Sequence, residues 1–266
     1  FHKELPSDFG VTELIDWSDI QREKPDIAII SNPTSLHLDT AMKLAPQVKG
    51  ILMEKPLSNS LKGVNNLVDA INKNKTVFFM GYNLMFHPIV SSIKEFINSN
   101  NLGKMINFQC QVGHWLPNWH PYEDYRKSYA AKSELGGGAV LTLIHDFDLS
   151  LYLFGMPSEI YAIGDKLSSL DIDVEDSVKV IMKTNYKNKQ IPISVSIDYL
   201  SWPPRRSINI VGDKGQINLD FKNNFVELNL LEKRSRKKIF FNEFHRNMMF
   251  LDEMKNFLEF AKGNES

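Results

Sequence analysis

The sequence predicts an α/β fold: a parallel sheet followed by an α+β domain with a large, mostly antiparallel sheet. Three apolar, β-rich runs at 27–30, 50–54 and 76–80 alternate with helical patterns, and this alternation is typical of parallel βαβ units. From residue 158 onward, short strand-like runs dominate and include a hairpin signal at 213–215, which indicates antiparallel pairing. The pattern changes near residue 84. We therefore predict two domains, 1–84 and 85–266.

The first domain begins with a predicted helix over 12–24, which Thr12 or Asp16 can cap. The strand at 27–30 ends at a break that supplies caps for a helix over 37–45. After the strand at 50–54, Ser58 or Ser60 can cap a helix with apolar residues at helical spacing between 61 and 71. The strand at 76–80 completes the expected parallel sheet.

The second domain begins with a helix over 88–98 and a strand over 105–114, followed by a polar, aromatic segment at 115–129. Three glycines at 136–138 lead into an apolar stretch that predicts one long helix over 140–154. The predicted strands are 158–164, 176–184, 190–200, 206–212, 215–220, 225–231 and 238–242, and a last helix covers 247–262. The basic run 233–238 is interpreted as a solvated hairpin turn.

Composition narrows the function. The 266 residues carry a net charge of -1, which gives no reason to expect nucleic acid or an anionic membrane as a partner. A single cysteine, Cys110, allows no intramolecular disulfide and fits a reducing compartment. No apolar run reaches the length of a membrane span. We therefore expect a cytoplasmic protein.

Three strand ends carry polar groups. Asn32 follows the first strand, Glu54 and Lys55 end the second, and Asn83 follows the third. Because consecutive parallel strands end at the same rim, these loops are expected to be neighbours at the place where open α/β sheets bind ligands. Pro56 stops its strand and holds Lys55 extended. Two interpretations of Lys55 stand at this point: a partly buried lysine that transfers protons, or a solvated loop lysine.

Four motifs in order carry a resemblance to a known family: Pro33-Thr34-x-x-His37, Glu54-Lys55-Pro56, Gly81-Tyr82-Asn83, and Gly136-Gly137-Gly138 followed by His145-x-x-Asp148. This spacing resembles the glucose-fructose oxidoreductase / inositol dehydrogenase / rhizopine-catabolism (Gfo/Idh/MocA) family of NAD(P)-dependent oxidoreductases, over essentially the whole chain. The resemblance implies a partial Rossmann domain and NAD or NADP as cofactor. It also implies a homodimer or homotetramer formed through the C-terminal sheet.

The resemblance assigns roles to residues. Lys55 would lie beside the nicotinamide and the substrate hydroxyl, and His145 would take or give the proton during hydride transfer. Without the family pattern, a histidine on an apolar helix is more often a core residue. The implied cofactor-binding residues are Asn32, Pro33, Thr34, His37, Glu54, Lys55, Gly81 and Asn83.

Two departures from the family pattern stand out. None of the 14 glycines forms the Gly-x-Gly-x-x-Gly spacing that holds a pyrophosphate at a helix N-terminus, so the resemblance implies an N-terminally incomplete member. Many sugar dehydrogenases of this family have an aspartate four residues before the histidine, where this chain has Leu141. In a continuous helix, positions 141 and 145 share a face. Asp124 or Glu123 is the expected substitute for orienting the imidazole.

The segment at 115–126 is rich in groups that bind sugars, because tryptophan and tyrosine faces stack on sugar rings while charged groups bind hydroxyls or anions. The alternative is that this segment merely packs across the sheet. The predicted substrate-binding residues are Trp119, His120, Tyr122, Asp124, Tyr125, Arg126 and, on the histidine helix, Asp148. The segment resembles the subgroup found with sialic-acid-like and surface-polysaccharide synthesis, which implies a nucleotide sugar or an acidic amino sugar.

Two functions are therefore weighed. The first is an NAD(P)-dependent oxidoreductase acting on a sugar or nucleotide sugar. The second is a non-catalytic protein of the same fold that binds a sugar or a partner and has a defective cofactor site. No set of histidines and acids shows metal-ligand spacing, and hydride transfer by a nicotinamide needs no metal, so no metal site is expected.

Overall fold

The structure is a computed structural model and describes residues 10–263. Its helices are α1 (Trp17–Glu23), α2 (His37–Leu44), α3 (Val64–Asn74), α4 (Pro88–Asn98), α5 (Ala139–Thr142), α6 (His145–Phe154) and α7 (Asn247–Ala261). Its strands are β1 (Ile27–Ile30), β2 (Gly50–Glu54), β3 (Val77–Gly81), β4 (Met105–Gly113), β5 (Pro157–Asp165), β6 (Ser177–Tyr186), β7 (Lys189–Asp198), β8 (Arg205–Gly212), β9 (Gly215–Asp220), β10 (Phe225–Leu230) and β11 (Ser235–Phe240).

The first sheet contains β1, β2 and β3 in that order, all parallel. The register pairs Ile30 with Met53 and Glu54 with Gly81, so the carboxyl ends of the strands lie side by side. β2 is buried along its length apart from Glu54, as expected for a strand covered on both faces. The alternation of strands and helices therefore places the Asn32, Lys55 and Asn83 loops on one rim, as predicted.

The second sheet has eight strands in the order β11-β10-β9-β8-β4-β7-β6-β5. β4 pairs in parallel with β7 and antiparallel with β8, and the remaining pairs are antiparallel. The larger hydrophobic core lies against this sheet and includes Phe108, Leu149 and Tyr199. The predicted fold class, a parallel sheet followed by a large and mostly antiparallel one, is confirmed.

The last helix returns to the first sheet. The ring of Phe257 lies 6.2 Å from that of Phe79, centroid to centroid, and a Cβ on Gly50 would be 3.2 Å from the same ring. The predicted division into 1–84 and 85–266 stays a prediction, since α7 packs on the sheet of the first part. The outermost residues of that division, 1–9 and 264–266, lie outside the described residues.

Three predicted elements were wrong in extent. α1 is shorter than predicted and begins after Asp16, which caps it in a capping box with Asp19. The predicted helix over 140–154 is two helices, because Leu143 and Ile144 interrupt it. The basic run predicted as a turn lies mostly in β11, which extends from Ser235 to Phe240 beside β10. Within residues 10–263, no helix is both long and apolar enough to cross a bilayer.

Candidate active site

Lys55 follows β2 directly and points toward the second half of the chain. Its ammonium nitrogen donates a hydrogen bond of 2.8 Å to the main-chain carbonyl oxygen of Thr142. Burial lowers the pKa of Lys55 to about 8; the charge of Glu54 opposes this shift and the charge of Arg206 adds to it. Near neutral pH the side chain is therefore a cation that can release its proton far more easily than an exposed lysine.

His145 is the first residue of α6, three positions after Thr142. Its Nδ1 is buried and has no hydrogen-bond partner within residues 10–263. The ring of Tyr82 meets the imidazole edge-on, with centroids 5.9 Å apart. Burial holds the pKa of His145 well below its usual value, and the charges of Lys55, Arg206 and Arg246 lower it further. The imidazole is therefore neutral at physiological pH.

The break between α5 and α6 leaves the carbonyl oxygen of Thr142 available to Lys55. Leu143 has a φ of -100° and a ψ of 28°, outside helical values. The carbonyl oxygen of Thr142 accepts a hydrogen bond from Lys55. It is therefore bonded to the first half of the chain and not to the next turn of a continuous helix. The hydroxyl of Tyr199 lies 2.7 Å from the Thr142 hydroxyl and fixes this residue from the sheet side.

A cavity of about 290 Å³ lies at the carboxyl ends of β1 and β2. It is lined by Ser31, Asn32, Pro33, Thr34, His37, Glu54, Lys55 and Tyr129. Six of these eight residues are among those predicted to bind the cofactor. The side-chain oxygen of Asn32 is buried and lacks a hydrogen-bond partner among the described residues, so a ligand hydroxyl or amide fits there.

His37 connects the walls of this strand-end cavity. Its Nδ1 lies 2.7 Å from the carbonyl oxygen of Pro56, and its Nε2 lies 2.9 Å from that of Asn32. Both ring nitrogens are therefore occupied by the main chain, and His37 holds the first two strand-end loops together. Gly81 lies beside Glu54, where a Cβ would be 3.1 Å from the carbonyl oxygen of Met53. Asn83 opens a short 3-10 turn behind it, and neither residue lines the cavity.

The glycine-rich segment brings α5 to the rim. A Cβ on Gly136 would lie 2.8 Å from Thr34 Cβ, so this loop touches the Asn32–His37 segment. Gly138 has a φ of 106°, and a Cβ there would lie 2.5 Å from both carboxylate oxygens of Glu175. That carboxylate accepts a hydrogen bond of 2.9 Å from the main-chain nitrogen of Val140. Glycine at position 138 therefore allows Glu175 to cap the start of α5.

A second cavity, the aromatic cavity, is formed by the segment after β4. It measures about 180 Å³ and is lined by Leu116, Trp119, His120, Glu123, Tyr125, Ser128, Tyr129, Ala130 and Arg246. Tyr129 also lines the strand-end cavity, so the two cavities share a wall. Three predicted substrate-binding residues, Trp119, His120 and Tyr125, are brought together here.

The structure does not bring the other predicted residues of the segment into the aromatic cavity. Arg126 and Asp124 form an ion pair with each other, with nitrogen–oxygen distances of 2.8 Å. Tyr122 is exposed and stacks on His120 with centroids 5.5 Å apart. Charged residues two positions apart in a turn reach each other more easily than they reach a distant ligand, which accounts for the Asp124–Arg126 pair.

The prediction that Asp124 or Glu123 orients the imidazole of His145 was wrong. Glu123 lies 2.6 Å from His120 Nδ1 and Asp124 pairs with Arg126, so neither orients His145. The helix break also separates Leu141 from the face of His145, and Leu141 lines a different surface depression beside Gly137. An acid at position 141 would therefore not stand one helical turn below the imidazole in this chain.

Asp148 lies one turn after His145 on α6. Burial raises the pKa of Asp148 to about 6. The Asp148 charge contributes to raising the pKa of Tyr82 to about 12, although burial is the larger cause. Asp148, Tyr82 and His145 therefore belong to one neighbourhood, where Asp148 is a carboxyl group poised near neutrality.

Sequence reasoning missed three residues at this site. Tyr129 lines both cavities, and it stands at the end of the segment that was singled out. Arg206 contacts Asp146, the neighbour of His145, with 3.3 Å between Nε and Oδ2; it is the second residue of β8. Arg246 precedes α7, and no sequence signal connects it to the aromatic cavity.

The fold and the strand-end site define a class: an α/β protein with a Rossmann-like parallel sheet and a ligand cavity at the carboxyl ends of its strands. Two family models match the chain: the oxidoreductase family model with an NAD-binding Rossmann fold at residues 2–82, and the GFO/IDH/MocA C-terminal domain at residues 90–218. The chain belongs to the GFO/IDH/MocA family of oxidoreductases.

Individual relatives agree with this membership. Myo-inositol 2-dehydrogenase of Thermotoga maritima is 26% identical over 258 residues, which cover 92% of this chain and 72% of that protein. Seven further curated relatives are matched over 33 to 61% of their own length.

Solved structures share the fold. The levoglucosan dehydrogenase complex with NADH and levoglucosan has a TM-score of 0.83 at 19% identity, covering 99% of this chain and 79% of that one. The WlbA dehydrogenase of Bordetella pertussis, in complex with NADH and UDP-GlcNAcA, has a TM-score of 0.71 at 20% identity, covering 82% and 66%.

Proposed function

We propose that the protein is an NAD(P)-dependent oxidoreductase whose substrate is a sugar or a nucleotide sugar. The observation that carries the proposal is the hydrogen bond from Lys55 to Thr142, which joins the parallel sheet to the residue three positions before His145. It sets a lysine with a pKa of about 8 beside an imidazole that lacks a partner on Nδ1. Two proton-transferring groups at one strand end suit the chemistry of an alcohol and its ketone.

The nicotinamide, when bound, supplies or accepts the hydride. Lys55 directs its ammonium at the reacting oxygen and stabilises negative charge that develops there. In the oxidation direction, the hydroxyl proton passes to the neutral His145 while the carbon loses its hydride. In reduction, the same proton returns to the oxygen. The partly buried setting of both side chains strengthens these interactions, because little water competes for the same atoms.

The proposed dinucleotide position is the strand-end cavity. Asn32 offers a buried oxygen without a protein partner, and Thr34 and Glu54 line the same wall. The proposed sugar position is the aromatic cavity, where Trp119 and Tyr125 supply ring faces and Arg246 supplies a charge. Tyr129 borders both, so a sugar carbon held near it would face a nicotinamide at Lys55.

A homodimer is proposed with this function. β5 is an edge strand of the large sheet, and it exposes 61% of Ile160, 67% of Tyr161 and 85% of Ile163. A second copy is the proposed cover for these apolar side chains. Light scattering after size-exclusion chromatography tests this: a mass near 30.6 kDa, that of one chain, would contradict it.

Cofactor binding is the direct test of the function. NADH and NADPH are titrated into the protein while nicotinamide fluorescence is followed, and sugars are then screened for NAD(P)-linked turnover. We expect saturable binding of at least one cofactor, weakened by Asn32→Ala and unchanged in the exposed-site control Asn74→Ala. Absence of binding by both cofactors would favour the non-catalytic alternative.

A further inference from the structure

A third cavity, the Trp-Arg cleft, lies beside the start of β8. It measures about 660 Å³ and is lined by Leu200, Ser201, Trp202, Pro203, Pro204, Arg205, Arg206, Ser207, Asp220 and Lys222. This volume lies in the range of small-molecule sites. The proposed sugar and dinucleotide positions do not use the cleft.

The lining of the Trp-Arg cleft is cationic. Arg205, Arg206 and Lys222 face one carboxylate, that of Asp220. The Asp220 oxygens already accept hydrogen bonds from the main-chain nitrogens of Lys222 and Asn223 and from the Asn223 amide. The Lys222 ammonium makes no ion pair with any residue in 10–263. Lys222 is therefore a cation of the cleft without an ionic partner in this range, while Arg205 and Arg206 contact carboxylates that lie outside the lining, those of Asp198 and Asp146.

Each of the two arginines contacts a carboxylate that does not line the cleft. Arg205 donates a hydrogen bond of 3.2 Å to Asp198, whose side chain is 14% exposed. Arg206 Nε lies 3.3 Å from Asp146, whose side chain is fully buried. An arginine fixed by a carboxylate on one edge keeps its other nitrogens for a ligand, and this prior ordering reduces the entropy lost on binding.

Trp202 forms the aromatic wall of the cleft. It is 67% exposed and makes no ring contact with another described residue. Two prolines follow it directly, which restrict the backbone of the loop. An exposed indole on a stiffened loop beside arginines is suited to stacking on a flat, uncharged ring such as a nucleobase.

The Trp-Arg cleft adjoins the proposed reaction centre. Trp115 and Leu116 donate main-chain hydrogen bonds to Ser201 and Tyr199; Leu116 lines the aromatic cavity and Ser201 lines the cleft. The two cavities therefore lie on either side of one pair of bonded segments. Arg206 also contacts the residue next to His145, and its charge lowers the pKa of Lys55.

We propose that the Trp-Arg cleft binds the nucleoside diphosphate of a nucleotide-sugar substrate, with the phosphates on Arg205, Arg206 and Lys222 and the base on Trp202. This rests on the proposed function and narrows its substrate class to nucleotide sugars. The sugar ring reaches the aromatic cavity and the reaction centre, while the diphosphate stays at the rim of the sheet.

Binding without turnover tests the cleft separately from catalysis. UDP, inorganic pyrophosphate and uridine are titrated calorimetrically into the protein in the absence of NAD(H). We expect UDP to bind more tightly than pyrophosphate or uridine. Arg205→Ala and Lys222→Ala should each weaken UDP binding about tenfold or more, and Trp202→Ala should weaken UDP binding without changing pyrophosphate binding.

Matched variants separate binding from folding. Arg205→Ala leaves Asp198 bonded to Leu200 and Ser201, so the loop retains its anchor. Lys237→Ala, an exposed cation in β11, removes the same charge elsewhere and should leave UDP binding unchanged. A conserved melting temperature in all variants supports a local effect.

The proposal is overturned if UDP binds with equal affinity to the wild type, Arg205→Ala and Lys222→Ala. It is also overturned if UDP does not bind at 10 mM. Equal affinity for UDP and pyrophosphate, unaffected by Trp202→Ala, overturns the assignment to a nucleoside diphosphate. UDP binding that depends on Arg205, in a protein that binds neither NADH nor NADPH, would support the cleft while contradicting the proposed function.

Discussion

The ammonium of Lys55 donates a 2.8 Å hydrogen bond to the carbonyl oxygen of Thr142, so the end of one parallel strand is tied to the last residue of α5. The bond joins positions 87 residues apart. It occupies the carbonyl at the break between α5 and α6, three positions before His145. The proposed proton transfer depends on this contact more than on any other.

Replacing Lys55 by methionine keeps an unbranched side chain, shorter by one atom, and removes the charge. We expect kcat to fall by about a hundredfold to ten-thousandfold, because proton transfer and stabilisation of the developing charge are both lost. The affinity for NADH should change little, since the other residues of the strand-end cavity are retained. Steady-state kinetics and fluorescence titration measure the two effects. Lys49→Met, directly before β2, exposed and paired with Asp26, is the matched control; full activity in Lys55→Met would rule out the proposed role.

The pH dependence of kcat/KM should follow the ionisation of Lys55. Its pKa is lowered to about 8 by burial, so the ammonium is lost as pH rises through 8. In the oxidation direction, in which the neutral His145 accepts the proton, kcat/KM should therefore be constant near pH 7 and fall tenfold per pH unit above about pH 9. The same profile in Lys55→Arg should stay flat through pH 9, though at lower activity, because a guanidinium keeps its proton. A fall at pH 8 that persists in Lys55→Arg would assign it to another group.

The rim of the parallel sheet could be predicted because it depends only on strand order. Once β1, β2 and β3 are parallel neighbours, the loops at Asn32 and Lys55 must meet, whatever the rest of the chain does. The break before His145 could not be predicted in the same way. The apolar pattern continues through Leu143, and the cause of the break includes a hydrogen bond from a residue far away in sequence.

Arg206 and Arg246 show a second reason why part of the site could not be predicted from the sequence. Arg206 comes from β8 and Arg246 from the segment before α7, and topology alone brings them to the α6 neighbourhood. The opposite error concerns Asp124 and Arg126, which are polar and close in sequence to Trp119. These two charges pair with each other, so neither is directed at a ligand. Composition identified the right segment but could not separate residues that pair locally from residues that face a cavity.

Gly138 should tolerate no side chain. Its φ of 106° is unfavourable for alanine, and a Cβ would lie 2.5 Å from the Glu175 carboxylate oxygens. We expect Gly138→Ala to lower the free energy of unfolding by about 2 to 4 kcal/mol, from backbone strain and from displacement of Glu175. Gly155→Ala is the control, since Gly155 also has a positive φ but no atom of residues 10–263 lies within 4 Å of its Cβ position. Urea denaturation should show a smaller loss for Gly155→Ala; equal losses would mean that the contact with Glu175 costs nothing.

Cys110 should be unreactive in the folded protein. It is 1% exposed and its thiol donates a hydrogen bond of 3.1 Å to Asp146. Burial, followed by the charge of Asp146, raises the pKa of Cys110 well above its usual value, so the thiolate that reacts with electrophiles is scarce. Mass spectrometry after iodoacetamide treatment at pH 8 should show no labelling in buffer and complete labelling in denaturing urea. Because the chain has one cysteine, any labelling in buffer would reveal local opening of β4 and α6.

Glu253 should make the fold less stable as pH rises. It lies on α7, one turn before Phe257, and faces the first sheet with 3% of its surface exposed and Oε1 without a partner in the described residues. Burial, and then the charge of Glu54, raise the pKa of Glu253 to about 7 from an ordinary value of 4.5. The folded chain therefore binds more protons than the unfolded chain between these values. The contribution of Glu253 to the free energy of unfolding therefore falls as pH rises from 4.5 through 7.

Glu253→Gln removes this titration and keeps the shape of the side chain. At pH 8 the variant should be more stable than the wild type by about 2 kcal/mol, whereas at pH 5 the two should differ little. Urea denaturation at both pH values measures the difference. Glu259→Gln, on the same helix but exposed and paired with Lys262, should not alter the pH dependence. If the Glu253→Gln protein loses as much stability between pH 5 and pH 8 as the wild type does, Glu253 is ionised throughout this range. Burial and the charge of Glu54 then do not raise its pKa.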